Sequence, residues 1–577
     1  MEKRVLLAIV LSFVVLYGFQ ALLPPPKSRM PEPSAPASQP SAPPPAGEVP
    51  KPQQPAAPPP VEAAPPAAVV GDTAERDVVV DSEAVRAVFT TRGAVLKNWQ
   101  LKHYTDASGQ PLDLVPQNAP PGSVRPFSLA VDDAETTARL RTALFKPNAN
   151  ELRLDGQSAT LTFDYQDASG LTAQKRFTFP AGLKYTIDFS ARVTHAGAAQ
   201  VPTIEWGPAI GTGISPKSSM GIYSPPSQPI FHRDGDTERV DRSKIQEFAA
   251  QEGNLRFAGV DDHYFLATVI PGTQPVTVRY QGLDLPARPG DETNPRLVVW
   301  SAKVPNPENV RFFFGPKDFD ALSAIDPQLT YAIDFGMFRW FVVPLHNALR
   351  WIHGYVANWG WSIIILTALI NIAMFPLRHK SVVSMRKMQE LQPEVKAIQD
   401  RYKNLKMSDP ARQKQNVELM NLYRERGVNP ASGCVPMLLT LPVLIAFYSM
   451  LSVAIELRGA PFIFWIRDLS RHDPLYITPI LMGATQLIQA KMTPATTTDP
   501  VQQKMMLFMP VIFTVMFVFM PSGLVIYWTA SNVWAIAQQV VTNRLIGPQA
   551  KRAARPPAER KVKNIGGGKT EQAKERK

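Results

Sequence analysis

The sequence predicts a multi-span α-helical membrane protein with six transmembrane helices, an N-terminal anchor plus a five-helix core. It also predicts a large extracytoplasmic β-sandwich domain and a cytoplasmic helical hairpin. Three patterns carry this prediction. Apolar runs near spanning length crowd the C-terminal half, and a bilayer core about 30 Å thick needs about 20 mostly apolar residues. Short alternating runs fill the region before them. Lys and Arg gather in alternate loops, as the positive-inside rule requires. The chain of 577 residues carries a formal net charge of +12, which suits an anionic partner such as lipid headgroups, nucleic acid or an acidic protein surface. The one cysteine, Cys434, excludes an intrachain disulfide and reads as structural.

Residues 1–23, "MEKRVLLAIVLSFVVLYGFQALL", begin with Lys3 and Arg4 and continue as an apolar run. The run is longer than a signal-peptide core and no A-x-A site follows, so it reads as an uncleaved anchor with a cytoplasmic N-terminus. Residues 24–70 form a linker holding 18 of the 57 prolines, and such a segment cannot bury a core. Residues 71–325 alternate in runs such as "VRAVFTT", "ATLTFDYQ", "KYTIDFSARVTH", "RLVVWSAKV" and "VRFFFG", parted by turns such as "DASG". That pattern predicts an antiparallel sandwich outside the membrane. Residues 329–358 are aromatic with scattered charge and interrupted by Pro344, which predicts an amphipathic helix lying in the interface.

The second transmembrane helix is read at 359–377, ended by Arg378, His379 and Lys380. Residues 378–430 read as the cytoplasmic hairpin. Met385, Met388, Val395, Ile398 and Tyr402 follow helical spacing, and Asp409–Pro410 opens a second helix that ends at Gly427. The segment 378–426 holds 12 Lys/Arg against 6 Asp/Glu, so it is placed inside, whereas 456–474 holds 3 of each and suits the outside. Residues 435–543 carry spans three to six, and 544–577 a basic cytoplasmic tail.

No G-x-G-x-x-G, P-loop, G-x-S-x-G or H-E-x-x-H occurs, and no Asp or Glu lies mid-span. No catalytic residue, metal site or cofactor is expected. "DDHYF" at 261–265 reads as a turn into a strand. Polar residues nevertheless recur inside the spans: Thr367 and Asn371 four apart on one face, then Thr440, Gln486, Thr514, Tyr527 and Trp528. Interhelical hydrogen bonds, commonly about 0.6 kcal/mol each, account for any one of them. As a set they favour a shared, water-accessible cavity. Methionine points the same way, with 14 of 18 from Met374 onward, enough for an adaptable surface for varied apolar helices.

"NPASGCVPMLLTLPVLIAFYSML", "PFIFWIRDLS", "DPVQQKMMLFMPVIFTVMF" and "PSGLVIYWTASN" closely resemble the YidC membrane protein insertases of Gram-negative bacteria, over about residues 330–545. The resemblance implies an inner-membrane insertase and chaperone, acting alone or beside the Sec translocon on nascent inner-membrane proteins. It implies a polar groove open to cytoplasm and lipid, and ribosome contact through the hairpin and the basic tail (Lys551, Arg552, Arg555, Arg560, Lys561, Lys563). Anionic lipid is a further partner of that tail. Thr367 matches a groove threonine, and Tyr527 and Trp528 an aromatic pair. At Asn371 the chain departs, because relatives usually carry arginine four residues after the threonine. Arg378, seven residues on and about 10 Å along a helix, stands with Lys380 at the cytoplasmic mouth as a partial substitute. Two other readings compete. One is a secondary transporter or channel, disfavoured by the lack of mid-span carboxylates. The other is a tethered carbohydrate-binding sandwich.

Overall fold

A computed structural model of the chain describes residues 67–106, 108–120, 122–210, 227–285, 296–402, 411–428, 435–492 and 500–546. The expected anchor, most of the linker and the basic tail lie outside the described residues.

Strict alternation builds the sandwich. Along the strand Leu171–Phe179, residues Leu171, Ala173, Lys175, Phe177 and Phe179 face inward, because successive side chains point to opposite faces of a strand. This strand pairs antiparallel with Ala159–Asp167 and Thr186–His195. The largest sheet has 11 strands, and two five-stranded sheets accompany it. One pairing departs from the antiparallel expectation: Val79–Asp81 runs parallel to Glu151–Arg153. Phe127 lies at the centre of the core, its ring 5.1 Å from Phe177 and 5.0 Å from Trp206. Each such buried aromatic is worth about 1.5–3 kcal/mol relative to exposure.

The last strand, Val310–Pro316, is not at an edge. It inserts between Thr186–His195 and Phe265–Ile270, so the chain leaves the sandwich from the middle of its largest sheet. Two short helices, α1 (Ala134–Thr142) and α2 (Phe319–Ile325), decorate this domain. The first was not foreseen, since its apolar face is only one turn wide.

The helical part follows. Helix α3 (Arg339–Val356) starts later than the 329–358 expected, and Pro344 sits within it without ending it. Near a helix start, proline displaces few intrahelical bonds. Trp340, Trp351 and Tyr355 are exposed along it while Leu345, Leu349 and Ile352 are buried, a two-faced pattern. Ala357 at φ 53° ends α3, and Asn358 caps α4 (Trp359–Glu390) by accepting the Trp361 amide at 3.1 Å. Helix α4 does not stop at Leu377 but runs 32 residues. Nothing in 378–390 breaks a helix, since charge ends a span and not a helix. Gly360 lets Phe462 pack against this helix, where a Cβ would lie 2.1 Å from the ring.

Helices α5 (Gln392–Arg401) and α6 (Ala411–Glu425) form an antiparallel pair. Val395, Ile398 and Leu422 are its core, clamped by Arg401–Glu418 at 2.7 Å and Arg426–Glu394 at 2.8 Å. Four helices complete the bundle: α7 (Val435–Val453), α8 (Ile477–Met492), α9 (Pro500–Phe517) and α10 (Ser522–Ile546). Among the described residues, α4 is long and apolar enough to cross a membrane, and Leu441–Val453 and Leu507–Phe517 are shorter apolar stretches.

Sandwich and bundle share one continuous apolar core, from Phe127 through Leu329 and Leu345 to Phe447. Polar contacts fix the seam. In "DDHYF", Asp262 Oδ1 accepts the amides of Tyr264 and Phe265 at 2.8 and 2.6 Å, the turn expected. That turn presents His263 Nε2 to the Ser452 carbonyl of α7 at 2.6 Å. Arg458 lies over Phe265 at 4.9 Å, and His346 of α3 meets Glu456 at 3.0 Å.

Candidate functional site

A cavity of about 370 Å³ opens among α4, α7, α8 and α10. On α4, Thr367 Oγ1 donates to the Ile363 carbonyl at 2.7 Å, and Asn371 Nδ2 donates to the Thr367 carbonyl at 2.7 Å. Both are ordinary back-bonds of short polar side chains on a helix. They leave Asn371 Oδ1 free to accept, and Arg378 Nη1 donates to it at 2.8 Å. Side chains on a helix lean toward its N-terminus. The long arginine stem therefore reaches back two turns into the groove, while Lys380 is exposed and lines no part of it. Arg378, expected at the cytoplasmic mouth, lines the cavity wall through this contact with Asn371. Arg378 is the one charged side chain among the lining residues.

The opposite wall is α10. Tyr527 stacks on Phe447, ring centroids 4.3 Å apart at 13°, and Trp528 packs edge-on against Phe517 at 4.9 Å. One and three turns on, Ser531 and Gln538 continue the same face. Gln538 is 6% exposed, yet neither amide atom has a hydrogen-bond partner among the described residues, and the same holds for Gln486 Oε1. Unpaired buried amides cost about 1–3 kcal/mol each unless something polar meets them. Met374, Met385 and Met492 soften the rim.

Thr367, Asn371, Gln486, Tyr527 and Trp528 are thus brought together. Thr514 is not. Its hydroxyl donates to the Pro510 carbonyl at 2.8 Å, and it fills the notch at Gly483, where a Cβ would lie 2.0 Å from Thr514 Oγ1. It is a packing residue of the α8–α9 contact, satisfied within its own helix. The Thr440 side chain lies outside the described residues, as do Lys551, Arg552, Arg555, Arg560, Lys561 and Lys563. Gln538 and Gln539 went unread in the sequence, although Gln538 stands eleven residues from Tyr527, three helical turns along one face.

Fold and groove together define a protein with a β-sandwich domain joined to a helical bundle, the bundle enclosing a polar cavity and holding, among the described residues, a helix long and apolar enough to cross a membrane. Comparison with known proteins is specific. Residues 351–549 match the family described as 60Kd inner membrane protein, and residues 77–348 match the YidC periplasmic domain. Proteins named membrane protein insertase YidC are similar over nearly their whole length. That of Geobacter metallireducens is 36% identical over 95% of this chain and 99% of its own. That of Geotalea daltonii is 35% identical over 94% and 99%, and that of Syntrophus aciditrophicus 35% over 94% and 100%. The chain belongs to the YidC family of inner-membrane protein insertases, which act without enzymatic chemistry, and its sandwich is the periplasmic domain of that family.

Proposed function

We propose that the cavity among α4, α7, α8 and α10 is the place where a client's hydrophilic segment pauses during insertion. The observation that carries this reading is the set of buried, unpaired amide atoms on Gln486 and Gln538 beside the Thr367–Asn371–Arg378 chain. Such a lining binds water or polar backbone. Moving polar backbone through hydrocarbon costs several kcal/mol per unsatisfied group, and a wet groove part-way across shortens that path. Burial of the client's apolar helix, about 0.8 kcal/mol per CH₂, supplies the driving force. No nucleotide is needed.

In this reading the anchor brings the chain to six spans with both termini cytoplasmic, and the α5–α6 hairpin projects into the cytoplasm. Hairpin and basic tail meet the ribosome, the tail also meets anionic lipid, and the periplasmic face meets the Sec translocon. The test places one cysteine in a chain whose Cys434 is replaced by serine. Gln538→Cys is expected to react with a membrane-impermeant thiol reagent added from the cytoplasmic side of sealed vesicles. Reaction only after detergent would refute a hydrated groove.

A further inference from the structure

We propose that the bundle carries a second, dry site on the opposite face of α10 from the groove. It holds one acyl chain of an outer-leaflet phospholipid, whose phosphate meets Arg467.

Three observations carry it. First, a cavity of about 450 Å³ lies among α4, α8, α10 and the loop 462–466. Its walls include Ile364 and Ala368 of α4, Leu481 of α8, and Ile526, Ala530 and Val533 of α10. The groove takes Tyr527, Ser531 and Gln538 from the same helix, so α10 has one polar face and one apolar face. The polar groups beside the apolar face are turned to other partners. Trp465 Nε1 and the Thr478 hydroxyl each donate to Asp473 at 2.9 Å, and the Thr529 hydroxyl donates to the Val525 carbonyl at 2.8 Å. Trp534 Nε1 is shut off from solvent and has no partner among the described residues. An apolar cavity stays dry, and the exposed Leu481 and Val533 leave this one open to the side of the bundle. In an inner-membrane protein, hydrocarbon lies to that side.

Second, the cavity stands at the periplasmic end. The Phe462 amide donates to the Ile466 carbonyl at 2.9 Å and closes the loop, and Asn358 Nδ2 pins it to the start of α4 by donating to the Phe462 carbonyl at 3.0 Å. The sandwich touches this same end, through His263 on the Ser452 carbonyl and Arg458 over Phe265. The sandwich is periplasmic, so the cavity opens at the depth of the outer leaflet. Phe464, at the tip of the loop, is 86% exposed, as suits an aromatic ring at headgroup level.

Third, a cation stands beside the wall. Arg467 directly follows the wall residue Ile466, is exposed, and makes no hydrogen bond or ion pair among the described residues. Its neighbours are engaged: Arg471 pairs with Asp468 at 3.3 Å, and Arg458 lies over Phe265. A guanidinium fork meets a phosphate at two points. A client's apolar helix would fill the same space but brings no phosphate to this level.

The experiment uses the purified full chain in proteoliposomes containing phosphatidylglycerol with a diazirine midway along one acyl chain. The exposed apolar face of α9, at Phe508, Ile512 and Val515, reports ordinary boundary lipid. Labelling per residue of 526–537 is expected to exceed that of α9 about fivefold, the ratio that about 1 kcal/mol of preference gives. Ala530→Phe, and independently Ala368→Phe from the opposite wall, fill the cavity and should bring the two labels level. Arg467→Gln should lower the ratio about threefold, the effect of losing an exposed ion pair. Labelling by a diacylglycerol with the same chain and no phosphate should not respond to Arg467→Gln.

Equal labelling of α9 and 526–537 in the unaltered chain leaves only boundary lipid and overturns the site. A raised ratio that survives both phenylalanines puts the acyl chain outside the cavity and overturns it equally. An unchanged ratio in Arg467→Gln overturns the phosphate contact; Arg467 is exposed, so this variant tests the site even where neither phenylalanine variant folds. Loss of the label on adding a single-span client would assign the cavity to client helices and overturn the lipid as its occupant.

Discussion

At the scale of single residues, the molecule places two cations where sequence alone would not put them. Lys175 alternates into the apolar face of its strand and is 1% exposed. Its Nζ donates to the carbonyls of Gly93, Phe127 and Ala94 at 2.6, 2.7 and 3.3 Å. Burial pushes its ammonium down to about 7, while three carbonyl acceptors match the three N–H of the charged form. Lys175→Met is therefore expected to destabilise the sandwich by about 2–4 kcal/mol, because it strands backbone acceptors in a closed core. Thermal unfolding of the full chain in detergent, followed by the near-ultraviolet signal of Trp206 and Trp300, measures this; an unchanged midpoint would refute it. Arg378 is the second such cation. The four-residue spacing of Thr367 and Asn371 was legible, because helical periodicity assigns a face. That Arg378 joins them was not, because seven residues of separation says nothing about which way a long side chain bends. Thr514 shows the converse error: a polar residue in a span counted toward the groove, although its own helix satisfies the hydroxyl.

At the scale of elements, period-two alternation exposed strands such as Ala159–Asp167, Leu171–Phe179 and Thr186–His195, which bury one face and show more of the other, but it passed over Val95–Thr105 and over Phe257–Asp261 and Phe265–Ile270, which are buried along nearly their whole length. The helices of the bundle were equally visible from their apolar runs. Boundaries set by chemistry other than burial were not. Helix α4 continues to Glu390 because nothing in the basic stretch after the isoleucine-rich run breaks a helix, and its Arg, Lys, Met, Gln and Glu residues are good helix formers. Span and the first part of the expected hairpin are thus one rod, and only Leu391 bends it into α5. The small core of α5 and α6 gives an element-level prediction. Ile398 is 1% exposed against Leu422 and Val395. Ile398→Asp should separate the two helices, since an unpaired buried carboxylate costs several kcal/mol. With Cys434 removed, cysteines at 401 and 418 should cross-link through a short bifunctional maleimide, and Ile398→Asp should abolish the product. Persistent cross-linking would mean that the apolar core is not what holds the hairpin, since the Arg401–Glu418 pair is already gone from the cysteine chain and Arg426–Glu394 is the clamp that remains.

At the scale of the whole molecule, the sandwich and the bundle are joined but unequal. Every residue lining the groove lies between Thr367 and Gln539, on the helices. Removing 71–310 while keeping α2 and α3 is therefore expected to preserve insertion but lower the melting temperature of the bundle, which loses the packing of Tyr264 and Phe265 against Arg458. Loss of insertion by a folded, membrane-integrated variant would give the sandwich a direct role. The seam should also respond to acid. Burial, and then the nearby Lys317 ammonium, hold the His263 imidazole down to about 4, against about 6.5 for a free histidine. The undocked state then binds more protons between those values, so docking is fully stable above about pH 6.5 and weakens as pH falls toward 4. Arg458 adds to the depression and Asp261 opposes it. Asp262 and Asp318, raised by burial, work in the opposite sense, since their docked forms hold protons more tightly. The test must therefore be differential. Hydrogen exchange at the amides of 450–458 should rise more between pH 7 and pH 5 in the unaltered chain than in His263→Gln, which keeps an N–H donor for the Ser452 carbonyl but does not titrate. Equal increases in both chains would remove His263 as the acid-sensitive element of the seam.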